Sequence, residues 1–214
     1  MDGESHRSPM AVPQIGDTAP DFVARTTLGE VRLSGYRGRW VLLFSHPADF
    51  TPVCTSEFIA FAKARAQFDA LNCALVAVSV DSLFAHLAWI RAIYDAFGVT
   101  IDFPIIEDPS MVIGRAYGMI SDHAPDAATM RSTFVIDPEG VVRAITTYPA
   151  TVGRSVDELV RLLSALQKVD RDGIVTPEGW QPGEDVLLPP SPDVAHVLAD
   201  GNDPLWFYKT RADR

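Results

Sequence analysis

The run Arg39-Trp-Val-Leu-Leu-Phe-Ser45 passes directly into His46-Pro-Ala-Asp-Phe-Thr-Pro-Val-Cys54-Thr-Ser-Glu57. Its first half is apolar, dense in strand formers and without polar alternation, the pattern of a strand covered on both faces. From Ser56 to Leu71 the period changes to 3.6, and Phe58, Phe61, Ala64 and Phe68 fall on one helical stripe. Ala74 to Val80 reads as a second buried strand, ended by Asp81-Ser82 as a helix-cap pair. Leu83, Leu87, Ile90, Tyr94 and Phe97 mark the next helix, with Gly98 as its stop. Strand, helix, strand, helix predicts parallel pairing through crossover helices, hence an α/β domain.

Working outward, Phe103–Ile106 predicts a short strand and Pro109–Tyr117 a small helix. Thr133–Asp137 and Val141–Thr147 predict a hairpin closed at Pro138-Glu-Gly140. Ser155-Val-Asp-Glu158 is a capping box, and Leu159, Leu162, Leu163 and Leu166 continue one apolar face. The expected organisation is a leader over 1–15, an α/β domain over 16–168 and a C-terminal extension over 169–214. That extension holds six of the chain's 16 prolines, yet also Trp180, Trp206 and the apolar runs Val186–Leu188 and Leu205–Tyr208. Such aromatics predict an arm that packs on its own domain or on a partner subunit.

The 214 residues include 18 basic and 28 acidic side chains, a net charge of −10. This balance argues against nucleic-acid or anionic-membrane surfaces, which need concentrated Lys and Arg. A hydrophobic fraction of 47 % provides for a proper core and excludes overall disorder. No window has the length and apolarity of a membrane span, and the N-terminus lacks a signal-peptide pattern, so the expectation is a soluble, cytoplasmic protein. Two cysteines, Cys54 and Cys73, exclude a disulfide scaffold or a multi-cysteine metal cluster. Histidines 6, 46, 86, 123 and 196 show no H-x-x-x-H or H-E-x-x-H spacing, and no Gly-rich phosphate loop occurs. Neither a metal nor another cofactor is expected.

Cys54 stands where a buried strand gives way to a helix. A thiol in the first turn of a helix faces unpaired backbone N–H groups and the positive end of the helix dipole, both of which favour the thiolate. A free cysteine titrates near roughly 8.5, and such settings lower it by one to several units.

With these residues in place, the segment HPADFTPVCTSEF resembles the active-site signature of the peroxiredoxins, in which Pro47, Thr51 and Cys54 form P-x-x-x-T-x-x-C. His46 before the proline, DSLFAHLAW at 81–89, YPATVGRSVDE at 148–158 and GWQPGEDVLLPP at 179–190 resemble the one-cysteine, peroxiredoxin-six-like branch. The resemblance covers about Gly16 to Tyr208. It implies a thioredoxin-like fold with a C-terminal dimerisation arm and a cofactor-free, thiol-dependent peroxidase. It further implies Cys54 as the peroxidatic cysteine, Thr51 as a hydroxyl bonding the thiolate and the incoming peroxide, and Pro47 as a shield from water. Arg131 matches the arginine that pairs with Cys54 and polarises the peroxide. Arg154 matches a second arginine of this branch, and His46 a histidine near the pocket, as base or as peroxide anchor. The implied partners are peroxide, an external thiol reductant and further copies of the chain, as a homodimer or a ring of dimers.

Charge development supports these assignments. Breaking a peroxide bond builds negative charge on the departing oxygen, and fixed donors aimed there lower the barrier. A guanidinium stays cationic and offers several donors in one plane, so two arginines beside the sulfur would reverse the local field of an acidic chain. Cys73 has no adjacent Arg or Lys and reads as an inert core thiol. Residues 169–214 contain no cysteine, so a sulfenic acid on Cys54 needs an external thiol; a Cys54–Cys73 disulfide is the alternative. The serine of a lipid-hydrolysing motif found in animal members is replaced here by Arg37-Gly-Arg39, and that activity is not carried over. A peroxide sensor or chaperone-like scaffold using the same cysteine is the competing function.

Overall fold

In a computed structural model, residues 12–120, 127–195 and 203–213 are described. The chain divides into two compact units, Met1–Val156 and Asp157–Arg214.

The first unit is built on strands β1 (Val23–Thr26), β2 (Gly29–Arg32), β3 (Trp40–Ser45), β4 (Cys73–Ser79), β5 (Ile105–Glu107), β6 (Arg131–Ile136) and β7 (Val142–Tyr148). They form one sheet in the order β2-β1-β5-β4-β3-β6-β7. β3, β4 and β5 are parallel, whereas β6 runs antiparallel to β3, β7 to β6, and β1 to both β2 and β5. The crossovers are helices α1 (Pro52–Lys63) with α2 (Arg65–Ala70), and α3 (Leu83–Phe97); α4 (Val112–Ala116) follows β5. This is the α/β layout expected from the alternation of strand and helix patterns.

Every residue of β3 and β4 is buried, one face of the central sheet covered by α1 and α3 and the other by α4 with Ala19, Leu33 and Met119. Residue parity then sorts the side chains. Val41, Leu43, Val76, Phe134 and Ile136 join Ile113 and Tyr117 in one core cluster. The opposite parity brings Phe44 against Phe61 of α1, with stacked rings 4.2 Å apart, and against Phe58 and Phe103.

Local signals account for both ends of α3 and for one hairpin turn. Ser82 caps α3 by accepting from the Ala85 N–H, and Gly98 ends it with φ +65°, a conformation costly for residues with a Cβ. Gly140 turns the β6–β7 hairpin with φ +80°. Two features differ from expectation. The helix expected over 56–71 begins four residues earlier, with Pro52 at its first position, and is interrupted at Ala64. The β1–β2 hairpin was not foreseen, since its short, largely exposed strands lack an apolar alternation.

The second unit contains α5 (Val156–Asp172), which starts one residue before it, and the antiparallel pair β8 (Val186–Leu188) and β9 (Lys209–Arg211). Ala165, Ile174, Trp180 and Val186 form its core, and Trp180 Nε1 donates to the Glu184 carbonyl at 3.0 Å. Of the apolar runs expected to pack, Val186 is buried, whereas Leu205, Trp206, Phe207 and Tyr208 stay exposed in the single chain.

Candidate active site

β3 delivers the chain to the site and α1 carries it away. Between them, His46–Thr51 form a tight loop in which Phe50 adopts φ +56°. A left-handed, non-glycine residue stores of order 1 kcal/mol or more, a cost tolerated where surrounding contacts fix the chain. The clamps are visible: the His46 N–H donates to the Val78 carbonyl at 3.1 Å, and Thr129 Oγ1 to the His46 carbonyl at 2.7 Å. The Asp49 N–H donates to Asp81 at 3.0 Å. Thr51 is the N-cap of α1, so Cys54 occupies its first turn, fully buried.

The inner face of α1 presents Cys54, Glu57, Phe58 and Phe61. Facing it are side chains of the parity that Phe44 defines. Phe44 pairs with Thr133 across the sheet, so Arg131, two residues from Thr133, points to the same face. Its Nη1 lies 3.3 Å from Cys54 Sγ and 2.8 Å from Glu57 Oε2, while Nε and Nη2 donate to the Ala150 carbonyl at 3.1 and 2.7 Å. All guanidinium nitrogens are thereby engaged, and one of them is held on the sulfur.

Arg154 reaches the same place through Glu57. Its Nε and Nη2 donate to Oε1 and Oε2 of Glu57 at 3.0 and 2.8 Å, its backbone N–H to Oε1 at 2.7 Å, and Nη1 to Ser132 O and Thr133 Oγ1 at 3.2 Å. Its Cζ also lies 5.1 Å from the Phe44 ring centroid. Burial alone would raise the Glu57 carboxyl, but hydrogen bonding and charge from Arg154, with the charge of Arg131, hold it below the usual carboxylate range. Two arginines against one carboxylate leave a net positive charge at the sulfur, smaller than the pair alone would supply. Glu57 was not foreseen: three residues after the cysteine it reads as an ordinary exposed helix acid.

The other expected residues are placed as follows. Pro47 is buried in the loop. The Thr51 hydroxyl donates to the Ala48 carbonyl at 2.9 Å, which leaves its oxygen lone pairs as acceptors. Thr51 O accepts from Thr55 Oγ1 at 2.8 Å, and Thr55 Oγ1 accepts from Trp89 Nε1 at 3.2 Å, tying the first turn of α1 to α3. His46 keeps the parity of Leu42 and Phe44, so its ring lies edge-on to Phe58 and stacked on Trp89, with centroids 4.8 and 5.3 Å away. His46 Nε2 pairs with Asp49 Oδ1 at 2.8 Å, and Asp49 Oδ2 with His86 Nδ1 at 2.7 Å.

Thus two histidines that look dispersed in sequence converge on one carboxylate; His6, His123 and His196 lie outside the described residues. Among the described residues, His46, Asp49 and His86 are the one group with metal-ligand character. Their contacts are direct hydrogen-bond distances, shorter than the roughly 3.3 Å separating two ligand atoms on a tetrahedral zinc. The group is a hydrogen-bonded chain. Cys73 is apart from all this at the start of β4: it is a free, fully buried thiol, and burial pushes it up to about 12.

The geometry of a buried thiol under an arginine agrees with the relationships of the sequence. Residues 15–145 match the AhpC/TSA family, and residues 165–200 match the C-terminal domain of 1-Cys peroxiredoxin. The chain belongs to the 1-Cys peroxiredoxins. Peroxiredoxin 2 of Caldanaerobacter subterraneus is 49 % identical over 85 % of this chain and 82 % of that protein. Peroxiredoxin 2 of Picrophilus torridus is 45 % identical over 92 % and 98 %. A yeast mitochondrial 1-Cys peroxiredoxin structure superposes with TM-score 0.84 at 39 % identity, covering 94 % of this chain and 99 % of that one. A peroxiredoxin 6 variant from Arenicola marina gives 0.79 at 29 % identity, covering 87 % and 88 %. The fold is therefore thioredoxin-like with the extension of the 1-Cys branch, and this peroxiredoxin is a thiol-dependent peroxidase, an oxidoreductase. The sensor or scaffold reading is not favoured.

Proposed function

We propose that Cys54 is the peroxidatic cysteine and that the reaction runs under Arg131. The Cys54 thiolate attacks the terminal oxygen of a hydroperoxide: an S–O bond forms, the O–O bond breaks, and its electron pair leaves on the alkoxide or hydroxide. That oxygen takes one proton to become alcohol or water, and Cys54 is left as a sulfenic acid. Two equivalents of external thiol then return it to the thiol, giving a disulfide of the reductant and water. The single observation carrying this reading is the 3.3 Å contact between Arg131 Nη1 and Cys54 Sγ in the first turn of α1. A donor there follows the charge from sulfur to the departing oxygen.

In this reading Pro47 screens the sulfur from water, and the Thr51 oxygen accepts from the peroxide O–H. Arg154 holds Arg131 in place through Glu57, and His46 supplies a polar group beside the pocket. The yeast mitochondrial relative is described as resolved through glutathione and thioredoxin systems; by that likeness the reductant here is a low-molecular-weight or thioredoxin-type thiol. The exposed Leu205–Tyr208 aromatics and the open edge of β7 suit a homodimer, with rings of dimers as the larger form, in the cytoplasm. Among the described residues, no helix is long and apolar enough to cross a membrane.

The test is peroxide consumption with an external thiol. Cys54→Ser is expected to abolish it, and normal turnover in that variant would refute the assignment. Sedimentation of the wild type as a monomer at micromolar concentration would remove the dimer.

A further inference from the structure

Asp49 and His86 take no part in the reaction as described, yet both are built into the site. His46 and His86 expose no side-chain surface, and Asp49 exposes 2 %. Burial alone would raise the Asp49 carboxyl, but hydrogen bonds from His46 and His86 hold it below the ordinary carboxylate range. An ionised carboxylate only accepts, so His46 Nε2 and His86 Nδ1 must both carry hydrogens. His86 Nε2 is 3.2 Å from the Ile106 carbonyl, which also only accepts. Both His86 nitrogens thus face acceptors, a placement that suits donation from each, with the charge of such a ring set against Asp49.

His46 is different. Its Nδ1 is buried without a hydrogen-bond partner. Burial, the largest influence on this ring, pushes its pKa below the ordinary histidine value, against the pull of Asp49. A ring that donates from Nε2 and stays neutral keeps a bare lone pair on Nδ1. Phe58, on which this ring rests, is one helical turn from Cys54 on the inner face of α1.

Resting on the peroxidase reading of Cys54, we propose that Asp49 and His86 are positioning residues that lock His46 as its Nε2–H tautomer and keep Nδ1 a bare, desolvated acceptor at the peroxidase site. The two partners do different things. Asp49 selects the tautomer, as a buried carboxylate behind a catalytic imidazole does elsewhere. Alone, however, its charge would favour a doubly protonated His46 and consume the lone pair. The balancing charge on His86 prevents that, which explains why the carboxylate is shared between two rings.

The test is a two-bond 1H–15N correlation on the full chain labelled at histidine, at neutral pH, with His46 and His86 assigned by single substitution. In the wild type, His46 is expected to carry hydrogen on Nε2 only and His86 on both nitrogens. Hydrogen on Nδ1 of His46 overturns the proposal, whatever any variant does. Asp49→Ala is expected to give a mixture of His46 tautomers and to slow sulfenic acid formation by about 10- to 100-fold. Asp49→Asn, whose amide oxygen can still accept from Nε2, is expected to recover the tautomer and most of the lost rate. An unchanged tautomer or rate in Asp49→Ala counts against the proposal. Should that variant not fold, His86→Gln is expected to leave His46 doubly protonated, and a bare Nδ1 there is equally adverse. Cys54→Ser separates the two readings: it removes the peroxide reaction but leaves the His46 tautomer as in the wild type.

Discussion

Glu57 grips Arg154 through both carboxylate oxygens, at 3.0 Å from Nε and 2.8 Å from Nη2. The same carboxylate accepts from Arg131 at 2.8 Å, so one acid orients both cations of the site. Helix α1 thereby carries the Cys54 sulfur and, one turn on, the carboxylate that binds both arginines.

Removing that acid should be costly in two ways. Glu57→Ala leaves two buried guanidinium groups with a lost counter-charge, and about 3–5 kcal/mol of stability is expected to go with it. Urea unfolding of the variant measures this. Glu57→Gln should lose less stability yet still slow sulfenic acid formation by about tenfold or more, because the arginines are no longer held. Wild-type kinetics in Glu57→Gln would show that the arginines position themselves.

The two arginines should not be equivalent. Arg131→Lys withdraws the donor on the sulfur and is expected to lower the peroxide rate constant by about 100- to 1000-fold. Arg154→Lys disturbs only the support and should cost less. Stopped-flow tryptophan fluorescence ranks the two; the reverse order would exchange their roles.

Acid should act through Glu57. Its folded-state pKa lies below the ordinary 4.5, so it contributes stability that is fully present above pH 4.5 and is lost as pH falls through the folded value. Below pH 4.5 the unfolded chain binds the proton first, and stability therefore drops with pH. Melting temperature followed from pH 6 downwards should fall more steeply below 4.5 in the wild type than in Glu57→Gln. Parallel curves would contradict the shift.

Cys73 should be silent. A thiol pushed up to about 12 and buried in β4 is protonated at neutral pH. Cys73→Ala is expected to keep full peroxide turnover, and peptide mapping after peroxide and alkylation should find no Cys54–Cys73 link. Finding that link in quantity would restore the two-cysteine alternative.

The legible parts of this protein were those with local causes. Unbroken apolar runs marked β3 and β4, a 3.6 period marked α3, and Ser82 and Gly98 marked its ends. The apolar stripe marks α1 only from Ser56 because Pro52, Val53 and Thr55 do not extend it; the proline stands at the first helical position, and Thr55 bonds Trp89 of α3. The β1–β2 hairpin was missed for a related reason, since edge strands of four mostly exposed residues bury too little to impose a pattern.

By itself the sequence determined the α/β alternation, the position of Cys54 at a strand-to-helix junction and the family to which the site motif points. It could not determine which distant side chains meet there. Arg131 lies 77 residues from Cys54, Arg154 lies 97 from Glu57, and His86 lies 37 from Asp49. Their convergence depends on the antiparallel register of β6 on β3 and on the packing of α3, and a shift of one residue would turn Arg131 to the other face. Sheet register and helix docking are long-range choices, and only the tertiary structure decided that a helix acid would hold two arginines and a loop acid two histidines.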